Sequence, residues 1–496
     1  MRKRRLKELL GAMEYKLIGE SNPLITGLAF DSRQVKPGYL YFAMKGTQVN
    51  GVQFIPEAIQ KGACAIVVEE DLPWKEKEIP LIRVPLIRKA LGLLSSRFYR
   101  NPTHHLSVIG ITGTNGKTTT SYFLRSIFQS HGWKTALLGT IENLLGEKSL
   151  PSTHTTPSSL DIHQFACQAL EEKCQALIME ASSHGLSQGR VEGVDFDGAI
   201  FTNLTGDHLD YHKTMEDYGK AKSILFEILP PHGKAILNLD DPSYHYLIQK
   251  SLSSKAFYGI QNPKAMYKAT HIQISLQESR FILEGPTFRI PVHLPFIGIH
   301  NIYNSLAAAA MAHQMGIHPA CIQRGLETAL AVPGRLEPIS NNQGIHVFVD
   351  YAHTDDALQN VLSKLAQLKK GRIITVFGCG GNRDKTKRPR MAQVASKWSD
   401  WTILTSDNPR REDPLQILKD IEEGMTTSSY EVIEDRKTAI FHALRKAKKG
   451  DIVLIAGKGH ENYQEGSKGR IWFDDRVVAK EFFKKFSINH QKKKAS

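Results

Sequence analysis

Cysteine is scarce and unpaired in this 496-residue chain. Its five cysteines, Cys64, Cys167, Cys174, Cys321 and Cys379, are scattered, odd in number and never in a Cys-x-x-Cys spacing. That pattern excludes a disulfide framework and a thiolate zinc site, and it fits a reducing cytoplasm. Long apolar runs are also missing, so no segment reads as a membrane span. The opening Met1-Arg2-Lys3-Arg4-Arg5-Leu6-Lys7-Glu8 is basic, but Glu14 and Lys16 interrupt any apolar segment behind it. A cleaved export signal is therefore not expected. Short-period repeats and low-complexity tracts are absent, which excludes solenoids and disordered tails as the main architecture.

What is present is the composition of a soluble globular protein. Hydrophobic residues make up 41% and charged residues 23%. The length predicts about three domains. A net charge of +14 raises the question of nucleic acid. Much of the excess sits in two short tails, residues 2–7 and 484–494, and no aromatic-interleaved recognition motif accompanies it. A positive balance also suits an enzyme whose substrates are all anionic, because it speeds their encounter. That reading ranks above nucleic-acid binding.

Three blocks emerge along the chain. Residues 1–103 hold short β-type runs at 40–43 and 63–68 and a helical stretch at 87–99, ending at the turn-rich Arg100-Asn101-Pro102-Thr103. Residues 104–333 alternate β runs (136–139, 176–179, 198–202, 234–239) with helical patterns, the signature of a parallel sheet with covering helices. After the breaker Val332-Pro333-Gly334-Arg335, residues 334–496 alternate again, with strands at 346–349, 372–377, 401–405 and 451–456. The fold class is α/β in three domains, with a central phosphate-loop parallel sheet and a Rossmann-like C-terminal domain.

The chemistry begins at Gly113-Thr114-Asn115-Gly116-Lys117-Thr118-Thr119, between an apolar run (106–111) and a helical pattern (118–129). A strand, a glycine turn and a helix N-terminus supply backbone N–H groups for a phosphate, with Lys117 as a point charge and Thr118 as a magnesium ligand. The generic loop has a glycine five positions before its Gly-Lys pair; here that position is Ile111, so the spacing is a shorter variant.

Other polar clusters fall where predicted strands end, the place where open α/β sheets bind ligands. Glu180 follows 176–179 and could hold magnesium or merely cap a helix. His208 lies in Asp207-His208-Leu209-Asp210-Tyr211-His212. This cluster fits a transition-metal site, an imidazole serving magnesium beside Glu180, or a plain polar loop. Asp350, Arg383, Asp407 and Lys458 follow the strands of the third block. Lys222, in the helical Tyr218-Gly219-Lys220-Ala221-Lys222-Ser223, reads on composition as a solvated surface lysine.

Taken together, these segments resemble the Mur ligases, ATP-dependent amide ligases that build the peptidoglycan stem peptide. Besides the phosphate loop, the resemblance rests on Asp31-Ser32-Arg33, Thr155-Thr156-Pro157, Glu180-Ala181-Ser182-Ser183-His184-Gly185-Leu186 and Asp207-His208-Leu209-Asp210. It continues through His300-Asn301-Ile302-Tyr303-Asn304, Asp350-Tyr351-Ala352-His353-Thr354, Gly378-Cys379-Gly380-Gly381-Asn382-Arg383-Asp384, Asp407-Asn408-Pro409-Arg410 and Gly457-Lys458-Gly459-His460-Glu461. Any one motif is weak; their joint occurrence in the family's order over nearly the whole chain is specific. The chain matches most nearly the branch that adds the third residue, diaminopimelate.

The resemblance implies a UDP-substrate domain (1–103), an ATP-binding domain (104–333) and an amino-acid-binding domain (334–496). It implies an acyl-phosphate mechanism in which ATP activates the D-glutamate γ-carboxylate of UDP-N-acetylmuramoyl-L-alanyl-D-glutamate and the amine of meso-2,6-diaminopimelate attacks. Lys117, Glu180, His208 and Lys222 would be catalytic. Magnesium would be held by Thr118, Glu180, His208 and Lys222, the last as a carbamate. The nucleotide would contact residues 113–119, Asn304, Arg335 and Asp350. The UDP substrate would contact Ser32, Thr47, Gln48, Thr155, Thr156, Ser182, Gln188 and Arg190. Arg383, Asp407, Asn408, Pro409, Arg410, Gly457 and Glu461 would receive the amino acid. Diaminopimelate carries one more carboxylate than lysine, and Arg410 with Arg383 could pair with carboxylates bidentately. A lysine-adding enzyme should lack Arg410. The implied protein is a cytoplasmic monomer with no nucleic-acid partner and no membrane insertion. Rival readings are the same chemistry on lysine or another acceptor, and a nucleotide-gated nucleic-acid-binding protein. Two departures stand out: Asp355 replaces the family's usual proline, which would bear on a helix start, and His154 replaces a commoner asparagine.

Overall fold

The computed structural model of the chain describes residues 3–46, 49–76, 78–207, 209–249 and 251–494. It is mixed α/β with mainly parallel sheets. The chain separates into two units. The first comprises Met1–Thr270, Ile282–Ile290 and Tyr303–Leu326; the second comprises His271–Phe281, Pro291–Ile302 and Glu327–Ser496.

The first unit opens on five strands: β1 (Lys16–Ile18), β2 (Gly27–Ala29), β3 (Tyr39–Phe42), β4 (Ala63–Val68) and β5 (Leu81–Arg83). Their spatial order is β1-β5-β4-β3-β2, and only β1 with β5 is antiparallel. Helix α1 (Ile87–Phe98) lays Ala90, Leu91, Leu94 and Phe98 on Leu40, Phe42, Val67 and Ile82. Its buried positions recur at three- and four-residue spacing, which is why this stretch is a helix.

The same unit then forms a parallel run from β6 (Ser107–Thr112), β7 (Thr135–Leu138), β8 (Ala176–Glu180), β9 (Gly198–Phe201), β10 (Lys234–Asn238) and β11 (Ser254–Gly259). The order is β7-β8-β6-β9-β10-β11. Helices α2 (Lys117–Ser130), α3 (Ser159–Glu171), α4 (Ser183–Ser187) and α5 (Met215–Glu227) belong to this layered unit. β6 to β9 are near-continuous apolar runs because parallel strands are covered on both faces. β7, β8, β6 and β9 are neighbours, so the loops leaving their carboxyl ends share one rim.

The second unit repeats the logic with β12 (Glu337–Ile339), β13 (His346–Asp350), β14 (Ile373–Phe377), β15 (Trp401–Leu404), β16 (Tyr430–Val432) and β17 (Ile452–Ala456), in spatial order β12-β13-β17-β14-β15-β16. Alternate residues face opposite cores: Phe348, Phe377, Leu404 and Leu454 on one side, Val347, Val376, Ile403 and Val453 on the other. Helix α6 (Asp355–Leu368) buries Leu358, Leu362 and Leu365, spaced by four and three. Its N-cap Thr354 accepts from the Ala357 N–H at 3.2 Å, a contact worth about 1 kcal/mol. Asp355 does not disturb this start. It sits in the first helical turn, where a negative charge suits the dipole, and accepts from Arg390 Nε at 2.9 Å. A hairpin of β18 (Tyr463–Gly466) and β19 (Gly469–Trp472) comes after β17.

Candidate active site

The phosphate loop is held by hydrogen bonds from within and from the neighbouring strand end. Lys117 Nζ donates to the carbonyls of Gly113 (2.8 Å) and Thr114 (2.9 Å), curling the loop around its own lysine. The segment after β9 straps it from outside. Thr114 N–H donates to the Asn203 carbonyl (2.8 Å), Asn115 N–H to Asn203 Oδ1 (3.0 Å), and Thr202 Oγ1 to the Asn115 carbonyl (2.6 Å). Gly116 has φ +87°, and a Cβ there would collide with Asn304 Oδ1. Only glycine fits that left-handed position, and the same contact brings Asn304 to the loop. Helix α2 begins immediately after, with Thr118 and Thr119 buried.

Glu180, the last residue of β8, is fully buried. Its Oε2 accepts from Thr118 Oγ1 (3.1 Å) and Thr140 Oγ1 (2.9 Å), and its Oε1 accepts from Thr140 N–H (2.9 Å). It is thus a buried acceptor at the rim, not a helix cap. Lys222 departs from its compositional reading: its side chain is 1% exposed. It belongs to the buried stripe of α5, with Tyr218, Ala221, Leu225 and Phe226. Its Nζ lies 4.2 Å from the Tyr218 ring centroid. Burial drives its pKa well below the ordinary lysine value, nearby Lys117 adds to the effect, and Asp207 opposes it. His208 lies outside the described residues. Among the described residues no group of three or more His, Cys, Asp and Glu is gathered to hold a metal.

A cavity of about 1060 Å³ in the first unit is lined by Ser32, Gln188 and Arg190, and also by Arg33, Lys45 and Arg88. Thr47 and Gln48 lie outside the described residues; their neighbours Gly46 and Val49 line the cavity, as does His154. Arg190 has its pKa lowered, first by burial and then by the charge of Arg88. Two guanidiniums that repel across a cavity favour an anion between them. Arg190 also ties the cavity to the rim. Its Nη1 donates to the Thr156 carbonyl (2.7 Å), and Thr156 Oγ1 lies within hydrogen-bond distance of the Glu180 carbonyl (2.9 Å) and Ser182 Oγ (3.0 Å). Thr155 Oγ1 is 3.1 Å from Thr140 Oγ1.

In the second unit, four neighbouring strands, β13, β17, β14 and β15, present their carboxyl-end loops together. Asp350 is buried against the N–H groups of Leu336 (2.7 Å) and Ala352 (2.8 Å). Burial pushes its carboxyl pKa up, and Arg335 restrains the rise. In the turn after β15, Arg410 takes φ +54°, donates from Nη1 to the Gly381 carbonyl (2.8 Å) and places Nε 3.4 Å from Glu465 Oε2. A Cβ on Gly380 would lie 2.9 Å from Arg410 Nη1 and 3.8 Å from Arg383 Cγ, so the two arginines share one loop environment. Arg383 is exposed. Gly457, at φ +113°, approaches Asp407: a Cβ would sit 2.7 Å from Oδ2. Glu461 Oε2 accepts from Asn408 Nδ2 (2.8 Å) and Lys458 Nζ (3.0 Å).

Two residues of this geometry escaped the sequence reading. Thr140 grips both oxygens of Glu180, and its signal was available: it comes after a strand end, like the other rim residues. Lys458 was noticed only as polar at a strand end, yet it is fully buried.

A phosphate loop on a parallel sheet, with a second Rossmann-like unit, defines a nucleotide-dependent α/β enzyme. Domain profiles narrow the class. The Mur ligase family, catalytic domain, matches residues 24–99; the Mur ligase middle domain matches 111–312; and the Mur ligase, glutamate ligase domain, matches 334–459. The chain belongs to the Mur ligase family. A UDP-N-acetylmuramoyl-L-alanyl-D-glutamate–2,6-diaminopimelate ligase of Caldanaerobacter subterraneus is 42% identical over 482 residues, 96% of this chain and 98% of the relative. One of Bacillus velezensis is 45% identical over 464 residues, 92% and 94% of the two chains. A solved structure of a ligase of that name superposes with TM-score 0.75 at 33% identity, covering 98% of this chain and 100% of the other.

Proposed function

We propose that the chain joins meso-2,6-diaminopimelate to UDP-N-acetylmuramoyl-L-alanyl-D-glutamate, consuming ATP through an acyl phosphate. Residues 1–103 and the adjoining cavity take the UDP end, 104–333 the ATP and 334–496 the amino acid. The observation that carries the choice of acceptor is the turn at 407–410, where Arg410 stands in one loop system with Glu461. A guanidinium for a carboxylate and a carboxylate for an ammonium complement an amino acid with a second carboxylate.

A carboxylate is a poor acylating agent, so the γ-carboxylate oxygen first attacks the γ-phosphorus of ATP and ADP leaves. Lys117 and the loop N–H groups stabilise charge on the transferring phosphoryl group. The amine then attacks the acyl carbon, and the tetrahedral adduct expels phosphate. Asn304, Arg335 and Asp350 position the nucleotide. Ser32, Thr155, Thr156, Ser182, Gln188 and Arg190, with Thr47 and Gln48, position the UDP substrate.

The donor set fits Mg²⁺: a buried carboxylate facing a hydroxyl beside a phosphate loop supplies hard oxygens. Thr118, Glu180, His208 and a carbamate of Lys222 would hold it, and it would neutralise charge on the phosphate oxygens. Burial and Lys117 favour the neutral Lys222 amine, the form that adds CO₂ to give a carbamate and a proton. The setting is the cytoplasm and the working unit a monomer.

The test is phosphate release with the UDP-linked dipeptide against a panel of amino acids. Release only with diaminopimelate is expected. Turnover with lysine and none with diaminopimelate would defeat the reading, and DNA-stimulated ATP hydrolysis would favour the nucleic-acid alternative.

A further inference from the structure

We infer that Lys458 is a positioning residue for the acceptor amino acid, acting through Glu461 and Asn408. The inference rests on the diaminopimelate reading for the identity of the acceptor, but the geometry stands in the second unit by itself. Lys458 is fully buried, leaves β17 between Gly457 and Gly459, and points its Nζ at Asn408 Oδ1 and Glu461 Oε2, both at 3.0 Å. The Tyr463 ring closes the site, its centroid 5.3 Å from Nζ.

Asn408 is thereby consumed from within. Its Oδ1 accepts from Lys458 Nζ and from the Glu465 N–H (2.9 Å), and its Nδ2 donates to Glu461 Oε2 (2.8 Å). Both carbonyl lone pairs and one amide hydrogen are spent on the protein, so the residue serves as a hub more than as a ligand. Among the described residues the hydrogen bonds to Glu461 fall on one oxygen: Oε2 takes the donors of Asn408 and Lys458, and Oε1 is left to receive an ammonium. Removing the lysine would leave a half-buried carboxylate without its cation and an amide free to turn. The same hub reaches Arg410, whose N–H donates to the Glu465 carbonyl (2.9 Å), and Gln464 Nε2 donates to the Asp407 carbonyl (2.8 Å). One buried ammonium therefore sets the orientation of both charged ends of the amino-acid pocket.

The experiment is a double-mutant cycle on the full-length enzyme, reading kcat and each KM. Lys458→Met is expected to raise the diaminopimelate KM at least about tenfold, as for loss of a charge-assisted contact, while the KM values for ATP and the UDP dipeptide stay within about twofold. In a Glu461→Gln background the same change should raise that KM clearly less than in the wild type, because the carboxylate it orients is gone and only its bond to Asn408 Oδ1 remains. Lys458→Gln keeps a donor without the charge and should fall between. If Lys458→Met does not fold, Lys458→Gln runs the cycle in its place. A parallel rise of all three KM values, or full additivity with Glu461→Gln, would overturn the inference. Wild-type turnover with diaminopimelate tests the functional reading separately; should the wild type take a different amino acid, the cycle is run with that one.

Discussion

Among the described residues two lysines are buried, and their surroundings are opposite. Lys222 and Lys458 are 1% and 0% exposed, and each lies beside a tyrosine ring. Lys458 has a carboxylate and an amide oxygen at 3.0 Å. The charged neighbour that most affects Lys222 is another lysine, Lys117, which reinforces the loss of the proton that burial already favours. A buried cation is tolerated when it is paired and hydrogen-bonded; unpaired, it gives up its charge. The first arrangement builds a fixed strut. The second lowers the lysine's hold on its proton, the direction that the proposed carbamate needs.

The sharpest way to break this contrast is to remove Lys222. Lys222→Ala should cut amino-acid-dependent phosphate release by roughly a thousandfold, the scale of losing a ligand that organises the metal. Short carboxylic acids should restore part of it, because they supply the missing anionic oxygens. An intact mass spectrum of the wild type should carry the added mass of one CO₂. Full activity of the alanine variant would remove the distinction between the two lysines.

Arg410→Ala acts on the other side of the comparison. It should lower kcat/KM for diaminopimelate by about 10- to 100-fold, the usual worth of a charge-assisted bond, and narrow the preference over lysine. ATP binding should stay intact. Unchanged kinetics with diaminopimelate would sink the assignment of Arg410 to the substrate carboxylate.

What the sequence made legible divides along the same line. The central parallel strands were readable because doubly covered strands are apolar throughout, and their ends were found to within one or two residues; the parallel strands Gly27–Ala29, Leu81–Arg83, Ser254–Gly259 and Tyr430–Val432, shorter or more polar, were not predicted. The place of the rim residues was readable because polar side chains stand out where apolar strands end. Composition alone misplaced Lys222 because Lys220-Ala221-Lys222 looks solvated, and Lys220 is indeed exposed; only the family resemblance singled it out. The missed signal was spacing: Lys222 falls on the stripe of Tyr218, Ala221, Leu225 and Phe226. The β18–β19 hairpin left no such pattern. Gln464, Glu465 and Arg470 are polar, and the strands are held by bonds to Asp407 and Asn408 that only the tertiary fold supplies.

A smaller effect is expected at Thr140, which holds both oxygens of Glu180. Thr140→Val keeps the shape and the backbone N–H but removes the hydroxyl donor to Oε2. Losing one hydrogen bond to a charged group is worth about 1.5 kcal/mol, so kcat should fall about tenfold. The KM for diaminopimelate, whose proposed contacts lie in the second unit, should not move. A rise in that KM alone would assign Thr140 to the wrong function.

Burial can be separated from function at a base that no assigned chemistry employs. His163, in α3, is fully buried, and its Nε2 lies 3.3 Å from the Glu192 carbonyl. Burial pulls its pKa down from 6.5 to about 4, the direction seen at Lys222. The folded state therefore binds fewer protons than the unfolded chain between those values. Its contribution is intact above pH 6.5 and is lost as pH falls toward 4. Between pH 7 and pH 5 the wild type should lose about 2 kcal/mol from this group in urea unfolding. A His163→Gln variant should be less stable at neutral pH yet lose less on acidification, with kcat unchanged. Equal acid slopes in the two proteins would mean that burial alone does not discharge a base in this core, and the lowering at Lys222 would then have to come from Lys117.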